Sequence, residues 1–154
     1  MNPYGLAVAA AVGAIFVPLA VSDARTGKVP LTGARLATTV AIAGLGIVAV
    51  ASTAWFALAG AAVGAGLVTG IQLIPYWLQR RSSRDWIGRA DVRLAIPFGW
   101  TLGWFGLWYA IAGFATALLS GLAASAVTRQ ARVRFVPFLA IGLWAGLSIV
   151  VVTS

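Results

Sequence analysis

Asp23 is the first charged residue of the chain, and it closes an apolar run that starts at the N-terminal end. That run constrains the fold more than any other feature. About 20 apolar residues in a row make a helix that crosses the hydrocarbon core of a bilayer. Five further helical stretches follow. The expected helices are roughly Pro3 to Ser22, Thr32 to Ala51, Ala54 to Leu78, Asp91 to Trp104, Gly106 to Val127 and Phe135 to Val152. The boundary between the fourth and fifth rests on Gly-aromatic steps in LGWFGLWY (Leu102 to Tyr109), which suit a tight turn at an interface. Composition agrees with this reading. The chain is 61% hydrophobic and 9% charged, against about 25% charged in soluble domains. The expected fold class is all-α: a polytopic membrane protein with six transmembrane helices in one bundle, residues 1–154 forming a single domain.

The positive charges fall in three clusters. Arg25, Lys28 and Arg35 follow the first helix. Arg80, Arg81, Arg84, Arg89 and Arg93 follow the third, and Arg129, Arg132 and Arg134 follow the fifth. These are all 11 basic residues; the loops after helices two and four carry none. Six spans put the ends of the odd helices on one side, and five would scatter the charges. By the positive-inside rule that side is the cytosol, with both termini outside. The net charge of +8 therefore reads as membrane topology, and no nucleic-acid partner is expected. No basic residue precedes Asp23, unlike the n-region of a cleavable signal peptide, so the first span is expected to be retained.

Four glycine pairs stand four residues apart: Gly60 and Gly64, Gly66 and Gly70, Gly99 and Gly103, Gly142 and Gly146. Such pairs let helices approach closely, and packing inside one bundle is favoured over dimerisation. The oligomeric state stays open.

The chain has no cysteine and no histidine. Disulfides, and metal sites built on those residues, are excluded. No metal or other cofactor is expected. Proton transfer falls to Asp, Lys, Tyr or water.

Three acidic residues remain: Asp23, Asp85 and Asp91. Asp85 lies in the loop RRSSRDWIGR beside Arg84 and reads as a solvated charge. Asp91 alone could be an N-cap. Asp23 is less easily explained, because the dipole at a helix C-terminus disfavours an anion. Arg25 or Lys28 could offset that, but local stability gives no reason for an acid there, and such an acid at the bilayer edge points to function. Two carboxylates at one membrane depth could share a proton. The ionised member would draw a proton from water while the protonated one donates to a carbonyl oxygen, as amide hydrolysis requires. Arg89 and Arg93 would favour the charged form of Asp91 if they reach it.

These residues resemble a family. Asp23-Ala-Arg-Thr-Gly-Lys-Val29-Pro30 is similar to the first catalytic motif of the type IV prepilin peptidases. Gly88-Arg89-Ala90-Asp91-Val92-Arg93-Leu94 is similar to the second, G-x-G-D-x-K-L, and Gly99-Trp100-Thr101-Leu102-Gly103-Trp104 to the segment that follows it. Arg134-Phe135-Val136-Pro137-Phe138-Leu139-Ala140-Ile141-Gly142 is similar to a third motif ahead of the last helix. The matches arrive in family order. The resemblance implies an aspartic endopeptidase of the bacterial cytoplasmic membrane, active at the cytosolic face. Such an enzyme cuts leaders from prepilins or pseudopilins for type IV pili or protein secretion. It implies Asp23 and Asp91 as the catalytic pair, with Gly88, Ala90, Arg93, Pro30 and Pro137 as substrate-binding or supporting residues. It also implies a peptidase core without the zinc-cysteine methylation segment of larger members.

Ala90 replaces the second glycine of G-x-G-D, where glycine would permit positive φ or close substrate approach. Leu31 stands where the family often has Asn or Asp, and Arg93 replaces lysine with different geometry. These departures leave a second possibility, a non-catalytic homologue acting as a membrane assembly or substrate-binding factor. A proton-coupled transporter would need an acid near mid-bilayer, and all three acids sit at helix ends or in a loop.

Overall fold

The computed structural model describes residues 2–79, 88–128 and 134–153. They form six helices: α1 (Pro3–Thr26), α2 (Leu31–Ser52), α3 (Trp55–Gln79), α4 (Arg89–Phe105), α5 (Leu107–Thr128) and α6 (Val136–Thr153). All but α4 are long and apolar enough to cross a membrane. The 17-residue α4 is shorter and carries Arg89, Asp91 and Arg93 in its first two turns. The bundle is turned outward in its chemistry, as lipid requires. Large apolar side chains such as Phe56, Ile47 and Leu119 are exposed, while alanines at positions 9, 37, 41, 61, 95, 110 and 117 are buried. With lipid tails as apolar as leucine, helices associate through close packing of small residues.

The ends of the helices are set by local chemistry. The Asn2 side chain caps α1 by accepting from the Tyr4 N–H at 3.0 Å, and its amide donates to Ser52 Oγ at 3.2 Å. This ties the start of α1 to the end of α2. At the same end of the bundle, Tyr109 and Thr153 join α5 to α6 through their hydroxyls at 2.9 Å. Exposed Tyr4, Trp55 and Trp108 also gather there, as aromatic side chains do at a membrane interface. The opposite end holds Arg25, Lys28, Arg35, Arg89, Arg93 and Arg134, the six basic residues among those described. We call it the basic end.

Helix α1 runs one turn further than its hydropathy suggests. Gly27, in the left-handed region at φ 69°, closes it by donating its N–H to the Asp23 carbonyl at 2.8 Å. Thr26 Oγ1 donates to the Ser22 carbonyl within that extra turn. Asp23 therefore lies inside the last turn rather than ending the helix. Helix α2 contains one π-helical turn, Val40–Gly44, packed against α1. The break between α4 and α5 is Gly106, whose φ of 137° is open to glycine and strained for other residues.

Glycines decide the tightest contacts. A methyl group on Gly64 would lie 2.5 Å from the Gly99 carbonyl oxygen, and one on Gly60 would lie 2.7 Å from that of Gly103. Helices α3 and α4 thus pack backbone to backbone, antiparallel. Gly142 meets Gly113 across the α5–α6 interface, and Gly146 faces Leu102. Three of the four glycine pairs serve packing within the bundle. The fourth does not: among the described residues, no atom outside the helix lies within 4 Å of a methyl on Gly66 or Gly70.

Candidate functional site

The buried face of α1 is a stripe: Gly5, Ala9, Val12, Gly13, Phe16, Leu19, Ala20 and then Asp23. These spacings of three and four residues keep one side of a helix inward. The carboxylate is the last member of that stripe, 7% exposed. Helix α4 begins its own inward stripe with Asp91, also 7% exposed, and continues through Leu94, Ala95, Phe98 and Leu102. Leu19 and Ala20 belong to the same hydrophobic core as Leu94 and Ala95. The two acids therefore cap the core-facing sides of their helices at the basic end, each one turn beyond residues that share that core. Asp85 falls in 80–87, outside the described residues.

Asp91 is not an N-cap. Gly88 takes that position with an extended backbone, φ −77° and ψ 154°. Asp91 sits three residues on, at N3, and its Oδ2 accepts the Gly88 N–H at 2.9 Å. This is the acid half of a capping box, and it places negative charge at the positive end of the α4 dipole. Gly88 thereby holds one carboxylate oxygen in a fixed direction. Ala90, at N2, has helical backbone and packs half-buried against the core. The position requires no positive φ, so alanine is accommodated without backbone strain.

Asp23 meets the opposite dipole, and the compensating cation comes from far along the chain. The Arg134 guanidinium donates to the Asp23 carbonyl at 2.8 Å and also to the Ala24 carbonyl. It thus supplies a positive charge and two donors to the C-terminus of α1. Arg25 and Lys28, the neighbours that sequence reasoning turned to, are exposed. The following loop is held by Ser22 Oγ donating to the Lys28 carbonyl at 2.9 Å and by the Lys28 N–H donating to Thr26 Oγ1 at 3.2 Å. Val29 packs against the core, and exposed Pro30 precedes the first residue of α2. Pro137 occupies the first turn of α6, where its missing N–H costs nothing. The third motif so begins with a residue that grips the helix of the first.

Arg93 faces away from this core. With Arg35, Leu31, Ala34, Thr38, Thr39 and Ile96 it lines a surface groove of about 440 Å³ between α2 and α4. Two guanidinium groups above an apolar floor suit an anionic group carried on an apolar chain.

Gln72 and Gln79 are buried polar residues of α3 that the sequence did not single out. Gln72 continues the inward stripe of α3 after Ala61, Gly64, Ala65 and Val68 and is 3% exposed. The available signal was its amide within an uncharged span, where polar side chains are expensive.

No known protein family, curated protein or solved structure matches this chain.

Proposed function

We propose that the chain is an aspartic endopeptidase of the prepilin-peptidase kind, with Asp23 and Asp91 as its catalytic pair. The observation that carries the reading is the burial of two of the chain's three carboxylic acids at the ends of two core-facing stripes. Burying a carboxylate is costly. An exposed acid would serve as well for solubility, and an apolar residue would serve better for packing.

The chemistry needs little else. One carboxylate, ionised, accepts a proton from a water molecule. The resulting hydroxide equivalent adds to the scissile carbonyl carbon, while the second carboxyl gives its proton to the carbonyl oxygen. The tetrahedral intermediate then collapses, the C–N bond breaks, and the proton taken from water passes to the leaving amine. In this scheme Gly88 holds Asp91 by the capping bond, and Arg134 steadies the α1 terminus that carries Asp23. Pro30 precedes α2 and Pro137 lies in the first turn of α6, and Ala90 packs against the core next to Asp91. Arg93 belongs to the groove and contacts the substrate or its lipid surroundings.

The basic end would face the bacterial cytosol by the positive-inside rule. Substrates would be prepilins or pseudopilins with basic leaders, presented by pilus or secretion systems. The non-catalytic alternative draws on Ala90; its backbone is helical and needs no positive φ, which leaves the added methyl facing an approaching substrate as the ground for that reading.

The test is cleavage of a purified prepilin by the protein reconstituted in bilayers. Asp23→Asn and Asp91→Asn should each lower the rate by at least about 10²–10⁴-fold, the scale of a lost general acid or base, while helix content and thermal midpoint are retained. Full processing by either variant would remove that residue from the mechanism.

A further inference from the structure

We infer that the groove between α2 and α4 binds an anionic phospholipid, with Arg35 and Arg93 holding its phosphate and an acyl chain lying over Leu31, Ala34 and Ile96. The inference stands apart from the peptidase reading and is tested without cleavage. Helices α2 and α4 both start at the basic end and pack on one another. Arg35 comes four residues after the first residue of α2 (31 to 35), and Arg93 four after the first of α4 (89 to 93). Each therefore lies about 6 Å along its helix. Thr38 and Thr39 carry the groove roughly 5 Å deeper. That is the depth at which a headgroup gives way to hydrocarbon, since the polar layers add only about 5–8 Å on each side of the core.

The lining selects the ligand. Both guanidinium groups are exposed, and among the described residues neither makes a hydrogen bond or an ion pair. No acid lines the groove among those residues. Two like charges on one wall favour an anion between them, and a phosphate can take parallel N–H bonds from each. Below them the surface is apolar. Leu31 and Ile96 are exposed, and the Thr38 hydroxyl is used within the helix, donating to the Ala34 carbonyl at 3.0 Å. A free phosphate would leave that floor uncovered, whereas a lipid covers it. A zwitterionic lipid would bring its ammonium beside two arginines. A peptide with a basic leader would be repelled. Basic pockets between membrane helices bind anionic headgroups on this ground. The surface groove on α3, lined by Leu73, Ile74, Trp77 and Leu78, has no charge and makes no such choice.

The test uses the full chain in neutral detergent. Native mass spectrometry measures retention of dioleoyl phosphatidylglycerol and dioleoyl phosphatidylcholine, and circular dichroism checks that each variant is folded. Phosphatidylglycerol should bind at least about tenfold more tightly than phosphatidylcholine. Arg35→Gln and Arg93→Gln should each weaken its tightest site by about tenfold, the scale of a lost hydrogen bond from a charged group. Arg25→Gln removes an exposed cation that does not line the groove and should change that site by less than about twofold. On the wild-type protein, a photoactivatable phosphatidylglycerol should label residues 31–39 and 93–96. Equal affinity for the two lipids overturns the inference, as does an Arg25→Gln loss equal to that of the groove variants, which would mean a diffuse field. Labelling confined to other segments overturns it too. Displacement of the lipid by millimolar inorganic phosphate would make the groove a free-anion site, and displacement by a short polyglutamate peptide would make it a peptide site; either result overturns the lipid assignment.

Discussion

Replacing Gly64 by alanine would set a methyl carbon 2.5 Å from the Gly99 carbonyl oxygen and 2.9 Å from the Gly103 Cα. Ordinary contact needs about 3.5 Å, so α3 and α4 must separate locally by about 1 Å. Both obstacles are backbone atoms in helices, and no rotamer change can relieve them. Overpacking of this kind costs about 1–3 kcal/mol, partly offset by the better helix propensity of alanine, about 1 kcal/mol. The net expectation is a loss of up to about 2 kcal/mol. Gly66 belongs to a pair of the same spacing on the same helix, yet a methyl there meets nothing within 4 Å among the described residues. Gly66→Ala should therefore gain roughly 0.5–1 kcal/mol from propensity alone. Unfolding by SDS titration in mixed micelles, followed by circular dichroism, reads both. Under the proposed peptidase function the stripe gives a further consequence: Asp91 stands about 12 Å along α4 from Gly99. A shift of about 1 Å in a catalytic group can cost on the order of 10²-fold in rate, so Gly64→Ala should lose prepilin cleavage and Gly66→Ala should keep it. If Gly66→Ala is the destabilised variant and Gly64→Ala is neutral, the assigned seam is on the wrong face of α3.

Two further outcomes follow from the site. Arg134→Ala removes both donors from the α1 terminus and should lower stability by about 1–3 kcal/mol in the same titration, the range for hydrogen bonds from a charged group; an unchanged midpoint would show that the guanidinium does not hold α1. Because the chain has no cysteine, Asp23→Cys combined with Asp91→Cys gives an otherwise thiol-free background. A short bifunctional thiol reagent should join the pair within one chain, seen as a mass increase with both thiols consumed. Reaction of the two thiols only as separate adducts would place the carboxylates too far apart to share a proton.

Much of the architecture was legible because the relevant properties are local. Charge-free apolar runs and their basic borders follow from residue-by-residue transfer energies, which is why six helices and a single basic end could be anticipated. The helix ends were less legible. The last turn of α1 depends on Gly27 adopting positive φ and on Thr26 bonding back to Ser22, and the start of α4 depends on Gly88 rather than Asp91 taking the cap. Those are short-range effects, but hydropathy does not register them.

By itself, then, the sequence determined the number of helices, their alternation and the end at which Asp23 and Asp91 lie, since hydrophobicity and charge act along one dimension. Tertiary structure alone decided that Gly60 and Gly64 pack while a methyl on Gly66 or Gly70 meets nothing among the described residues, that Arg134 caps a helix 111 residues away, and that Gln72 is buried. The physical reason is that these helices are apolar nearly all round, so no amphipathic face declares which side turns inward. Rotational phase and antiparallel register come only from backbone contact between partners, and small residues reveal that contact once the partners are in place.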